Sequence, residues 1–138
     1  MNKLQILEEE IYLNELINSN DWDSLSSDYE LSEEIIDKFS DKVNWIYISI
    51  HQELSESFIE KHSNDVMWYF ISKFQKLSEP FIEKYQDYIN WECISRFQEL
   101  SEPFIEKYQG YINWDYIVRY QKLFCEFIKK YKNKLFKH

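Results

Sequence analysis

Four pairs of carboxylates recur in this chain at one spacing: Glu33 with Asp37, Glu56 with Glu60, Glu79 with Glu83, and Glu102 with Glu106. A separation of four residues puts both members on one face of a helix. Paired carboxylates are the raw material of general acid–base catalysis. Catalysis, however, needs one special environment that drives two pKa values apart. Here the same pair recurs in similar surroundings, which argues against an active site. Two readings stay open. The pairs form an acidic ladder that meets a basic partner, or a solvated face that keeps the protein soluble. Lys38, Lys61, Lys84 and Lys107 each follow a pair directly and would partly neutralise it.

The other reactive residues do not assemble into a motif. His51, His62 and His138 share no metal-ligand spacing, and neither do Cys93 and Cys125. His62 stands where other copies of the same motif have an aromatic residue, so packing is its expected role. Gly110 is the only glycine, which leaves no phosphate-cradling loop. The chain is therefore expected not to be an enzyme, and to need no cofactor and no metal.

The elements behind these pairs follow from a repeat. Trp22, Trp45, Trp68, Trp91 and Trp114 are spaced by 23 residues throughout, and a fixed period of that length marks a repeat protein. The motif Leu-Ser-Glu opens each unit at Leu31, Leu54, Leu77 and Leu100, taken here as position 1. Positions 1, 5 and 9 (Leu77, Phe81 and Tyr85 in one unit), with Ile82 at position 6, show helical spacing. Ser32, Ser55, Ser78 and Ser101 occupy an N-cap, and Pro80 and Pro103 are tolerated only in a first turn. Position 11 reads Asn18, Asp41, Asn64, Asp87, Gly110 and Asn133, which predicts a left-handed helix stop. Asp21, Asn44, Asn90 and Asn113 precede the tryptophans as N-caps, with Met67 the exception. The second helix is expected to bury Trp91, Ile94 and Phe97, spaced by three.

Each unit thus predicts two helices of about eight residues, too short to hold alone. The expected fold is all-α: tandem 23-residue helical hairpins, solenoid-like, in one domain. Residues 1–30 would be a degenerate acidic cap, residues 31–122 four full repeats, and residues 123–138 a half-repeat with a basic end. The five tryptophans are assigned to structure, wedged between layers.

A net charge of -9 accompanies this pattern, with 44% hydrophobic residues, too many for disorder. Arg119, Lys122, Lys129, Lys130, Lys132, Lys134 and Lys137 face only Glu126 at the C-terminal end, so the rest of the chain is more acidic still. That body repels nucleic-acid phosphates, and no direct nucleic-acid contact is expected. No apolar stretch approaches a membrane span. The expected setting is the cytosol.

The recurring LSExFIEK…W..IS..Q pattern resembles the roughly 23-residue repeats of uncharacterised proteins in large DNA viruses, phages and prophages, over about residues 31–128. The resemblance implies a viral or mobile-element accessory protein and carries no activity. The expected function is a protein-binding module, such as a phage or viral inhibitor of a host defence complex of the anti-CRISPR type. Its partner would be a protein with a basic surface, such as a nucleic-acid-processing complex. Contact residues would come from the carboxylate pairs or from positions that vary between units: Tyr69, Glu92 and Asp115 at position 16, Tyr88 and Tyr111 at position 12. The alternatives are an acidic nucleic-acid mimic occupying a basic channel, and a self-assembling scaffold. A monomer or homodimer is expected.

Overall fold

The computed structural model describes residues 3–136, apart from the side chains of Gln5, Ile6, Leu7 and Glu9. Lys137 and His138, expected in the basic end, and the Glu9 side chain, expected in the acidic cap, lie outside the described residues. The fold is all-α, with no strand among the described residues.

The chain divides into two compact units, Met1–Val66 and Met67–His138. The first holds α1 (Lys3–Ser19), α2 (Trp22–Asp28), α3 (Glu33–Lys38), α4 (Trp45–His51) and α5 (Glu56–Lys61). The second holds α6 (Trp68–Phe74), α7 (Glu79–Lys84), α8 (Trp91–Phe97), α9 (Glu102–Lys107), α10 (Trp114–Tyr120), α11 (Cys125–Lys130) and α12 (Lys132–Leu135). The repeat is a hairpin of a six-residue and a seven-residue helix, each shorter than the eight residues expected. Ahead of Trp22 the pattern breaks, because α1 runs for 17 residues as one helix.

Capping sets where these short helices begin. The hydroxyl of Ser32 accepts from the Ile35 amide at 3.2 Å, and Ser55, Ser78 and Ser101 cap in the same way. Asn44, Asn90 and Asn113 accept from the amides of Tyr47, Cys93 and Tyr116 at 3.0–3.2 Å. Met67 makes no side-chain cap.

The first helix ends differently from the expectation. Asn20 is the only described non-glycine residue with positive φ, at 61°, and Gly110 is not left-handed. The position-9 residue instead turns at φ near -106° in the repeats of the second unit. Its carbonyl then accepts two amides: Tyr108 O takes Tyr111 N at 2.9 Å and Ile112 N at 3.2 Å. A right-handed turn satisfies the helix-end carbonyls, so position 11 needs no left-handed residue.

Within the first unit α2 packs on α4, and within the second α6 packs on α8, α8 on α10, and α10 on α12. The centre of each core is isoleucine rather than tryptophan. Ile36, Ile48 and Ile59 in the first unit, and Ile71, Ile82, Ile94, Ile105 and Ile117 in the second, are completely buried. Trp45, Trp68, Trp91 and Trp114 are only half-buried. Each lies against the following repeat: Trp91 is 6.3 Å from Phe104 and 5.2 Å from Tyr108 between ring centroids. Its indole N–H donates to Gln86 O at 3.2 Å, so the polar edge is satisfied. Phe97, expected in the core, is 43% exposed. Three residues advance about 300° around a helix, so a run spaced by three drifts off the buried face within two steps.

Candidate functional site

The carboxylate pairs fasten one repeat to the next. Position-3 glutamates grip the N-cap of the following unit. Glu33 accepts from the Ser55 amide at 2.6 Å and the Ser55 hydroxyl at 2.8 Å, and Glu79 does the same for Ser101 at 2.6 and 2.8 Å. Glu102 accepts from the Phe124 amide at 2.8 Å. Position-7 carboxylates take the position-8 lysine of the next unit: Asp37 with Lys61 at 2.9 Å, Glu83 with Lys107, and Glu106 with Lys130 at 2.5 Å. These lysines hold the Asp37, Glu83 and Glu106 carboxyls below the usual range. Glu56 and Glu60 occupy the equivalent positions of α5, and neither is without a partner.

His62 deepens one of these fastenings. Its side chain is 8% exposed, with Nε2 2.9 Å from Asp37 and Nδ1 3.1 Å from Asp65. The ring lies against Trp45 and Phe58, at 4.9 and 4.6 Å. This is the packing role expected of it, with two polar contacts added.

Positions 19 and 22 carry a second set of inter-repeat bonds that sequence reasoning missed. The Gln98 amide donates to Ser72 O at 2.9 Å and Gln75 O at 2.7 Å, while its carbonyl accepts from Leu77 N at 3.0 Å. Gln52 makes the same three contacts to Ser26 O, Tyr29 O and Leu31 N, and Gln121 repeats them on Ser95 O, Gln98 O and Leu100 N. The Ser72 hydroxyl accepts from Asn90 N at 3.0 Å, and that of Ser95 from Asn113 N at 2.9 Å. The recurrence of Gln at position 22 was the available signal.

The residues at varying positions face solvent. Tyr69, Tyr88 and Tyr111 are 49–59% exposed, and Glu92 and Asp115 are exposed beside them in sequence register. Tyr88 and Tyr111 lean on Trp68 and Trp91 at 5.6 and 5.5 Å. Between Tyr69 and Tyr116 lies a groove of about 100 Å³, floored by Cys93 and flanked by Lys73 and Arg96. Burial pushes the Cys93 thiol up, away from reactivity.

Positions 20 and 21 extend that face into a ridge. Lys73 Nζ sits 5.1 Å from the Phe74 ring and 5.5 Å from the Phe97 ring. Arg96 Cζ sits 4.8 Å from Phe97, 5.0 Å from Tyr120 and 5.8 Å from Tyr116. Cation and ring therefore alternate across α6, α8 and α10, with Phe74, Phe97 and Tyr120 43–50% exposed. Arg119 continues the row and is exposed. The ridge was readable as Lys or Arg followed by an aromatic at one register in three units. The helix-spacing expectation had assigned Phe97 to the core instead.

Among the described residues no group of three His, Cys, Asp or Glu side chains is placed to hold a metal ion. Cys93 is buried and Cys125 exposed, and both are free thiols. No described helix is long and apolar enough to cross a membrane. Compared with known proteins, the chain matches no family model, no curated protein and no solved structure.

Proposed function

We propose that this chain is a non-enzymatic protein-binding repeat module whose contact surface is the outer face of α6, α8 and α10. The supporting observation is the ridge of alternating cations and half-exposed rings formed by Lys73, Phe74, Arg96, Phe97 and Tyr120. Three large aromatics held open on a rigid helical face are the kind of anchor that dominates protein interfaces. The stacked cations keep the rings soluble and orient them.

The carboxylate rows support a nucleic-acid mimic less well. A mimic needs free negative charge, and Asp37, Glu83 and Glu106 each carry a lysine. The cationic ridge favours acidic patches on the partner over the basic surface expected from the ladder. The resemblance to viral repeats suggests a use for such a face, the blocking of a host defence complex in the cytosol.

Site-specific photo-cross-linking in host cells tests this. The cross-linking residue p-benzoylphenylalanine at 74, 97 or 120 should give protein adducts, and at Glu53 or Lys122 should not. No adduct from the ridge, or equal adducts from both sets, refutes the reading.

A further inference from the structure

We infer that the ridge on α6, α8 and α10 binds helix α1 of a second copy of this chain. This rests on the protein-binding reading of that face and names its partner.

The argument begins with α1. Its inner side carries Leu13, Leu16 and Ile17, which are half-buried. Its outer side holds Leu4, 66% exposed, and Ile11, 55%, together with exposed Glu8 and Glu15, while Tyr12 at its edge turns its ring to Tyr29 at 6.1 Å. At about 100° per residue Leu4, Glu8, Ile11 and Glu15 share one face. A 17-residue helix thus presents an apolar and acidic stripe to solvent. Isolated exposed apolar residues are ordinary, but a stripe of them on one face marks an interaction surface.

The ridge is complementary in kind. Its rings match the apolar residues of α1, and Lys73, Arg96 and Arg119 match Glu8 and Glu15. It is also complementary in spacing. Lys73 stands 5.1 and 5.5 Å from the rings on either side of it, and Arg96 stands 4.8 and 5.0 Å from its two. Successive rings are therefore at most about 11 Å apart, in keeping with the roughly 8–10 Å between packed helices. Along α1, Leu4 to Ile11 and Glu8 to Glu15 each span seven residues, about 10.5 Å of helix rise. Lying across these helices, α1 can place Leu4 and Ile11 at two successive rings and Glu8 and Glu15 at the two cations between the rings.

The two surfaces are different patches, so the contact is heterologous, and successive copies close into a ring or extend as a chain. Either way the average mass rises with concentration. Part of it is electrostatic, so salt weakens it.

Sedimentation of the full chain tests the assignment. The wild-type average mass should rise with concentration between about 1 and 500 µM, more steeply at low salt. Glu8→Lys with Glu15→Lys forms one variant, and Lys73→Glu with Arg96→Glu the other. Each alone should associate at least tenfold more weakly than wild type, and an equimolar mixture should recover association, because the reversed charges are again complementary. Far-UV circular dichroism checks that both variants fold, and Ile11→Ser, at an exposed site, supplies an independent loss. A wild-type mass that stays constant overturns the inference, as does a mixture that fails to recover. Ridge-dependent retention of a fifteen-nucleotide oligothymidylate would put nucleic acid on the face and overturn it equally. Constant mass with ridge cross-links to another protein removes the second copy and leaves the protein-binding reading. Constant mass with no cross-links removes both.

Discussion

Gln98→Leu is the sharpest perturbation of this fold. The side chain is buried, and its three hydrogen bonds reach Ser72 O at 2.9 Å, Gln75 O at 2.7 Å and Leu77 N at 3.0 Å. Leucine keeps the volume and orphans two carbonyls and one amide. Each orphaned buried group costs about 1–3 kcal/mol. The leucine regains some apolar burial and small shifts admit water, so the expected loss is about 3–4 kcal/mol. The same three bonds surround Gln121, which is only half-buried. Water reaches its orphaned partners, and Gln121→Leu should cost about 1–2 kcal/mol. Gln98→Glu keeps the acceptor for Leu77 N but faces two carbonyls with a carboxylate, so it should also destabilise. Urea denaturation gives the free energies, and hydrogen exchange reads the Leu77 amide directly. A Gln98→Leu protein within about 0.5 kcal/mol of wild type, with Leu77 protection unchanged, would refute the glutamine clasp.

Gly110→Ala should raise stability by about 0.4–1 kcal/mol, because its φ is not positive and an added Cβ meets nothing within 4 Å; a lowered melting temperature would restore the left-handed stop. Ile94→Ala should cost about 2–5 kcal/mol in denaturant titration, while Phe97→Ala, on the open ridge, should cost under about 1 kcal/mol. The reverse ranking would put Phe97 in the core after all. Lysine contacts lower the pKa of Asp37, Glu83 and Glu106. Their stabilisation is therefore complete above the unfolded carboxyl values, near pH 4, and is lost as pH falls through the lower folded values. Melting temperatures recorded between pH 2 and pH 7 should show a shallower acid limb when the three are changed together to Asn, Gln and Gln; an unchanged limb would mean the pairs contribute nothing.

What the sequence made legible was local chemistry. The serine and asparagine caps, the prolines of the first turn and the 23-residue hairpin depend on neighbours within four residues. What it hid was chemistry between repeats. Gln98 meets its partners 21–26 residues away, and Glu79 meets Ser101 22 residues away. Nothing near either residue shows which backbone group it reaches. The helix stop was misjudged for a related reason. Asp, Asn and Gly tolerate left-handed backbone, but the carbonyl of Tyr108 already satisfies the turn from a right-handed one. Tryptophan drew attention through its period, whereas isoleucine, recurring just as regularly at positions 6 and 18, fills the core.

The fastening also explains where the repeat is allowed to fail. Position 19 is serine where its hydroxyl accepts the next repeat's position-14 amide, as Ser72 and Ser95 do. In the last full repeat it is Val118, and the corresponding position downstream is Phe136, at the end of α12. The Phe136 amide donates instead to Lys132 O at 3.0 Å, so a hydroxyl at residue 118 has no amide to receive. At Phe124, which stands in place of the serine cap, Glu102 still accepts from the backbone amide, which any residue supplies. Glutamate at position 3, serine at position 19 and glutamine at position 22 thus recur with a backbone group of the neighbouring repeat to hold. The cations and rings of positions 20 and 21 recur in the second unit without any such backbone partner to hold. The protein ligand proposed for that face would give their recurrence a cause.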